Sequence, residues 1–188
     1  MGFMRTFVAI EVPGFIHAAL EELKGRLRGA GVRASWVKPG NIHLTLRFLG
    51  EIDADQAAGL VDMLEIEYAS IRPFVLQVCG VGAFPNARRP SVLWVGCEPA
   101  EGPLERVQQA AETAARAVGL APAAKGFRAH LTVGRVKDWR AAGPVADALD
   151  QAKDFDAGEF EASGVALFRS RLMSTGAVYE RLREFRFS

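Results

Sequence analysis

Two of the three histidines in this 188-residue chain stand in the same setting. Residues 43–46 read His-Leu-Thr-Leu and residues 130–133 read His-Leu-Thr-Val, so the second copy lies 87 positions after the first. An imidazole titrates near neutral pH and can give or take a proton. Two of them can divide the work of cleaving a phosphodiester. One removes a proton from the attacking oxygen and the other protonates the leaving oxygen. The hydroxyls of Thr45 and Thr132 can donate hydrogen bonds to the non-bridging phosphate oxygens. An arginine at Arg47 or Arg135 can add a charge-assisted contact. With acid, base and charge all supplied by side chains, this chemistry asks for no metal and no cofactor. The chain has no clustered Cys/His or Asp-rich ligand pattern. The pair is symmetric in sequence, so these residues leave open which histidine is donor and which is acceptor.

Strands must carry these residues, because side chains alternate between the faces of a strand. On Ile42–Leu49 this predicts one face with His43, Thr45 and Arg47, and an apolar face with Leu44, Leu46 and Phe48. On Ala129–Val136 it predicts His130 and Thr132 opposite Leu131 and Val133. Gly134 interrupts that strand, and a bulge there would turn Arg135 back toward His130. The remaining strands are read at Thr6–Val12, Pro73–Cys79, Ser91–Cys97 and Phe160–Phe168, with Ala177–Phe187 as a last strand or hairpin arm. Helices are read at Phe15–Arg28, from Asp53 or Asp55 to Tyr68, at Pro103–Val118 and at Ala141–Ala152. Gly80–Pro90 reads as a loop, and its Phe84, Arg88 and Arg89 could hold a base and a backbone phosphate. Phe7 and Tyr179 could line the same site. His17, on the first helix, is expected at or near the surface.

The order strand, helix, strand, helix, strand occurs twice. That makes one domain over 1–188 with an internal duplication, roughly 1–85 and 86–188. A hydrophobic content of 49% can fill a core at this size. Lys and Arg total 23 against 22 Asp and Glu, a net charge of +1. That excludes a protein that coats long nucleic acid by charge alone, but not one that holds a nucleic-acid end. No apolar run approaches the roughly 20 residues of a membrane span, and the N-terminal MGFMRTFVAIEVPG is read as a strand and not a leader. Cys79 and Cys97 fit two buried reduced thiols. A cytoplasmic monomer with no obligate protein partner and no membrane contact is the expectation.

The segments HLTLRFLG (43–50) and HLTVGR (130–135), with RTFVAIEVP, AFPNARRPSVLWVGC and STGAVYERLREF around them, resemble the 2H phosphoesterase superfamily. More closely they are similar to the RNA 2′,3′-cyclic phosphodiesterases, also described as 2′-5′ RNA ligases. The resemblance covers nearly the whole chain. It implies an α+β fold of two pseudo-twofold-related lobes, mostly antiparallel sheet with helices outside and a central cleft. It also implies an enzyme that opens an RNA terminal 2′,3′-cyclic phosphate, or a small cyclic nucleotide, to a 2′-phosphate. His43 would then be proton donor and His130 acceptor, with Thr45, Thr132 and Arg135 binding substrate. Two alternatives use the same cleft: 2′-5′ ligation, and non-catalytic binding of a nucleotide or RNA end.

Overall fold

The computed structural model describes residues 2–99, 101–174 and 176–188. The elements run β1 (Met4–Glu11), α1 (Gly14–Gly29), β2 (Ser35–Trp36), β3 (His43–Ile52), α2 (Ala54–Tyr68), β4 (Phe74–Phe84), β5 (Val92–Glu98), α3 (Pro103–Ala117), β6 (His130–Arg135), α4 (Val145–Gln151), β7 (Asp156–Ala162), β8 (Gly164–Met173) and β9 (Gly176–Arg186). The fold is α+β as expected, and every ladder is antiparallel.

The strands form one sheet in the order β7-β4-β5-β6-β3-β1-β8-β9, with β2 added beside β6. A single pair, Leu44 opposite Leu131, joins β3 to β6 at its centre. A pseudo-twofold axis through that pair relates β3 to β6, β1 to β5, β8 to β4 and β9 to β7. The two lobes are therefore β3-β1-β8-β9 and β6-β5-β4-β7. They are not the two halves of the chain: β4 follows β3 in sequence but pairs with β5, and β8 pairs back with β1. The helices exchange in the same way. α3 packs on β3 and α2, while α1 packs on β7 and α4.

Helical spacing in α1 puts Ile16, Leu20, Leu23 and Leu27 on the buried side, all at most 1% exposed. Asp53 caps α2 in a capping box with Gln56, and Leu60, Leu64 and Tyr68 face inward. These helices and the apolar strand positions Val8, Ile10, Leu44, Leu93, Val95 and Leu131 make the main core, on one face of the sheet. A second, small cluster of Phe7, Ala9, Ala166 and Phe168 lies apart from it, against Tyr179.

Four expectations need correction. β4 continues through Phe84, so the connection to β5 is only 85–91. Gly82 serves there because a Cβ would meet the Trp94 indole at 2.2 Å. The fourth helix starts at Val145 and not at Ala141, because Gly143 at φ +81° breaks the helical backbone. Residues 156–173 form two strands instead of one. Cys97 is buried and Cys79 only half-buried; both are free thiols. No helix among the described residues is long and apolar enough to cross a membrane.

Candidate active site

The Leu44–Leu131 pair also sets the register of the two histidine strands. One residue to either side, His43 comes abreast of Thr132, and Thr45 abreast of His130. All four point away from the leucines, to the face opposite the main core. Beyond this pair the β3–β6 ladder stops.

A β-bulge follows each threonine. In β3, Ala9 pairs with Thr45 but Val8 pairs with Arg47, so Leu46 is the extra residue. In β6, Trp94 pairs with Thr132 but Leu93 pairs with Gly134, so Val133 is extra. Each bulge reverses the alternation that follows it. Arg135 lands opposite Val92 on the His130 face, as the glycine signal predicted. Arg47 goes the other way, against the expectation that it shares the face of His43. It is turned to the helical side, where its side chain is 10% exposed. It pairs there with Glu112 at 2.6 Å and donates to the Phe48 and Ala121 carbonyls, each at 2.5 Å. Arg47 is a fastening between β3 and α3.

Both imidazoles are tied to the backbone two residues upstream. His130 donates Nδ1–H to the Arg128 carbonyl at 2.6 Å, which leaves Nε2 free as acceptor. His43 makes the corresponding bond to the Asn41 backbone. Asn41 is itself anchored, its Nδ2 donating to the Ala177 carbonyl at 2.8 Å. The segment before it is held by Lys24, which is 1% exposed, donates to the Val37 carbonyl at 2.6 Å and pairs with Glu21.

The surroundings of the two rings differ. His43 stacks on Phe7 at 4.6 Å and 18°, with Tyr179 edge-on at 5.2 Å and Phe168 beyond at 6.2 Å. Burial among these rings lowers its pKa to about 4, against the hydrogen bond to Asn41 that raises it. His130 meets the edge of Phe84 at 5.0 Å. Its pKa is also lowered, first by burial and then by the Arg135 cation, with the Arg128 carbonyl opposing. His17 lies elsewhere, on α1, and burial lowers its pKa too. Among the described residues, no three His, Cys, Asp or Glu side chains gather as a metal site would need.

The sequence reading assigned no role to Trp94, Phe168, Asn41 or Arg128. Asn41 and Arg128 act through backbone carbonyls, which leave no mark in residue type. Their common offset from each histidine was the available signal.

The profile of the LigT like Phosphoesterase family matches this chain twice, at residues 10–94 and 95–179. A protein of Archaeoglobus fulgidus named RNA 2′,3′-cyclic phosphodiesterase is 37% identical over 183 residues, covering 97% of this chain and 99% of that one. A crystal structure of a Thermus thermophilus protein superposes with a TM-score of 0.81 at 30% identity, over 98% of each chain. Escherichia coli LigT complexed with 3′-AMP shares the fold, with a TM-score of 0.78 at 20% identity and 99% of each chain covered. The duplicated strand-helix pattern, the two His-x-Thr segments at its centre and these likenesses agree: the chain belongs to the LigT-like phosphoesterase family.

Proposed function

We propose that this chain, a single domain over 1–188 with an internal duplication, hydrolyses the 2′,3′-cyclic phosphate at an RNA end to a 2′-phosphate, without a metal ion. The observation that carries the reading is the Leu44–Leu131 pair, which sets two His-x-Thr segments abreast on one face. The relatives' name, RNA 2′,3′-cyclic phosphodiesterase, supplies the substrate class.

Water attacks phosphorus, and the bond from phosphorus to the 3′-oxygen breaks. His130 takes the proton of the water through Nε2, the nitrogen its bond to Arg128 leaves bare. His43 delivers a proton to the departing 3′-oxygen. Thr45, Thr132 and Arg135 hold the non-bridging oxygens, whose charge grows in the transition state. The depressed pKa of His43 means that it is neutral in the free protein at pH 7. As donor it carries its proton once the anionic phosphate lies beside it and offsets the cost of burial.

The test is product analysis on a nucleoside 2′,3′-cyclic phosphate with a chelator present. The expected result is the 2′-phosphate, formed at the same rate with and without chelator. No turnover, or turnover only with added metal, would sink the reading. Because the reaction needs one proton on the pair and both histidines titrate below their ordinary 6.5, kcat/KM should peak below pH 6.5.

A further inference from the structure

The arginines of the two lobes are partnered differently. On the His43 side, Arg47, Arg171, Arg181, Arg183 and Arg186 sit in ion pairs with glutamates, while Arg5 on β1 and Arg169 on β8 have none among the described residues. On the His130 side, Arg88, Arg89, Arg128, Arg135 and Arg140 form none among the described residues. Several of them lie against aromatic rings instead. Arg128 covers Phe84 at 5.6 Å. Arg89 and Arg140 lie 5.4 and 4.6 Å from the centre of the Trp139 ring, which is 38% exposed.

The β4–β5 connection runs from the His130 ring toward Trp139. Phe84 touches His130 at one end of the short β4–β5 connection, and Arg89 touches Trp139 near the other. That connection is fixed. Asn86 Oδ1 accepts from the backbone N–H of both Arg88 and Arg89, at 3.0 Å each, and Ser91 bonds back to the Phe84 carbonyl. The Val136 N–H, next to Arg135, donates to the Ser91 carbonyl at 2.9 Å. Three residues lie between Arg135 and Trp139, so the two are at most about 14 Å apart along the chain. A cavity of about 220 Å³ opens beside Trp139, between Arg88 and Val145, with Asp147 as its carboxylate. Asp138 Oδ1 is occupied as acceptor of the Arg140 N–H at 3.0 Å.

Guanidinium groups that lie over aromatic rings and have no carboxylate partner suit a polyanion with stacking bases. We propose that the single-stranded RNA leading away from the terminal phosphate lies across this surface. Its backbone rests on Arg88, Arg89 and Arg140, and its bases stack on the guanidinium groups that lie over Trp139 and on the exposed indole itself. The inference rests on the cleft being an RNA-end site. It extends that reading by making the substrate an oligonucleotide tail and by giving the tail to the His130 lobe alone.

Fluorescence anisotropy tests it, with a 5′-labelled ten-nucleotide RNA carrying a terminal 2′-phosphate. R89Q/R140Q and W139A should each weaken binding about tenfold or more, the scale of a lost stacking contact. W139F should restore most of it. The slope of log Kd against log salt should fall by about 1.4 in R89Q/R140Q, for two single-strand phosphate contacts removed. Hydrolysis of a cyclic mononucleotide should not change. Folded R89Q/R140Q binding the RNA with wild-type affinity and slope overturns the proposal, and this variant decides should W139A fail to fold. If the wild type turns over the mononucleotide but binds the RNA no more tightly than a nucleoside 2′-phosphate, the surface proposal falls and the catalytic reading stands. If it binds the RNA through these residues but opens no cyclic phosphate, the reverse holds.

Discussion

The two lobes carry the same strands, the same bulge and the same His-x-Thr segment, yet they surround their histidines with different chemistry. The register pairs make the comparison position by position. Where β1 has Ala9 opposite Thr45, β5 has Trp94 opposite Thr132. Where β1 has Phe7, β5 has Val92, and β8 has Ala166 where β4 has Gly82. The small side chains of Ala9 and Ala166 leave space over the strand, and the His43 ring lies down on Phe7. In the other lobe the Trp94 indole fills that level over Gly82, and the His130 ring meets Phe84 only by its edge. After the bulge, the residue on the open face is Phe48 in one lobe and Arg135 in the other. The two lobes thus share the backbone that presents two imidazoles, while the side chains around it make one site dry and aromatic and the other cationic. A symmetric scaffold can in this way supply two groups with different proton affinities.

The strongest way to break this comparison is to remove each ring. His43→Ala and His130→Ala should each lower kcat/KM on a cyclic nucleotide by about 10²–10⁴, the scale of acid–base groups. A phosphodiester whose leaving oxygen is 4-nitrophenolate needs no acid. On it, His43→Ala should recover most of its loss and His130→Ala none. Equal behaviour of the two variants on that substrate would mean that the lobes do not divide the roles.

The next effect separates the two arginines that follow the bulges. Arg135→Gln should cost about 10–10² in kcat/KM, the worth of a charge-assisted bond to phosphate. Arg47→Gln should leave the chemical step alone. It should lower stability by about 2 kcal/mol or more, because Glu112 would lose its cationic partner in a half-buried place. Urea unfolding and steady-state kinetics on both variants give the answer. A catalytic loss in Arg47→Gln at full stability would contradict the placement of its side chain against Glu112.

These two residues also mark how far the sequence could be read. The His-x-Thr pair was legible because side-chain chemistry and strand alternation are local. The bulge in β6 was legible because Gly134 announced it. The equivalent bulge in β3 falls on Leu46, a residue type that signals nothing, and so Arg47 was read onto the wrong face. The exchange of β4 and β8 between lobes is a long-range pairing that periodicity does not encode. The clamps on the two rings are carbonyls, and every residue has one. The Trp94 indole over Gly82 was not legible, because Gly80–Pro90 reads as a loop and the strand that sets Gly82 beneath Trp94 runs on through it to Phe84.

The smallest expected effect tests the aromatic enclosure of His43 through stability. An unfolded chain protonates this residue near 6.5, while the folded chain holds it neutral down to about 4. As pH falls through 6.5, the unfolded state therefore takes up a proton that the native state refuses, and stability declines until the folded pKa is reached. Above 6.5 both states are neutral there and the residue adds no pH dependence. The loss between pH 7.5 and pH 5 is at most about 2 kcal/mol from this group. Burial lowers His130 and His17 as well, so the wild type alone does not isolate the effect. The difference between wild type and His43→Gln does, because glutamine has no proton to gain. Unfolding free energies at the two pH values should converge for this pair as pH falls, the variant losing less than the wild type. His130→Gln, whose ring is touched at one edge and is not stacked upon, should remove a smaller share. If the two variants flatten the pH dependence equally, then Phe7 and Tyr179 do not make the His43 lobe the drier of the two.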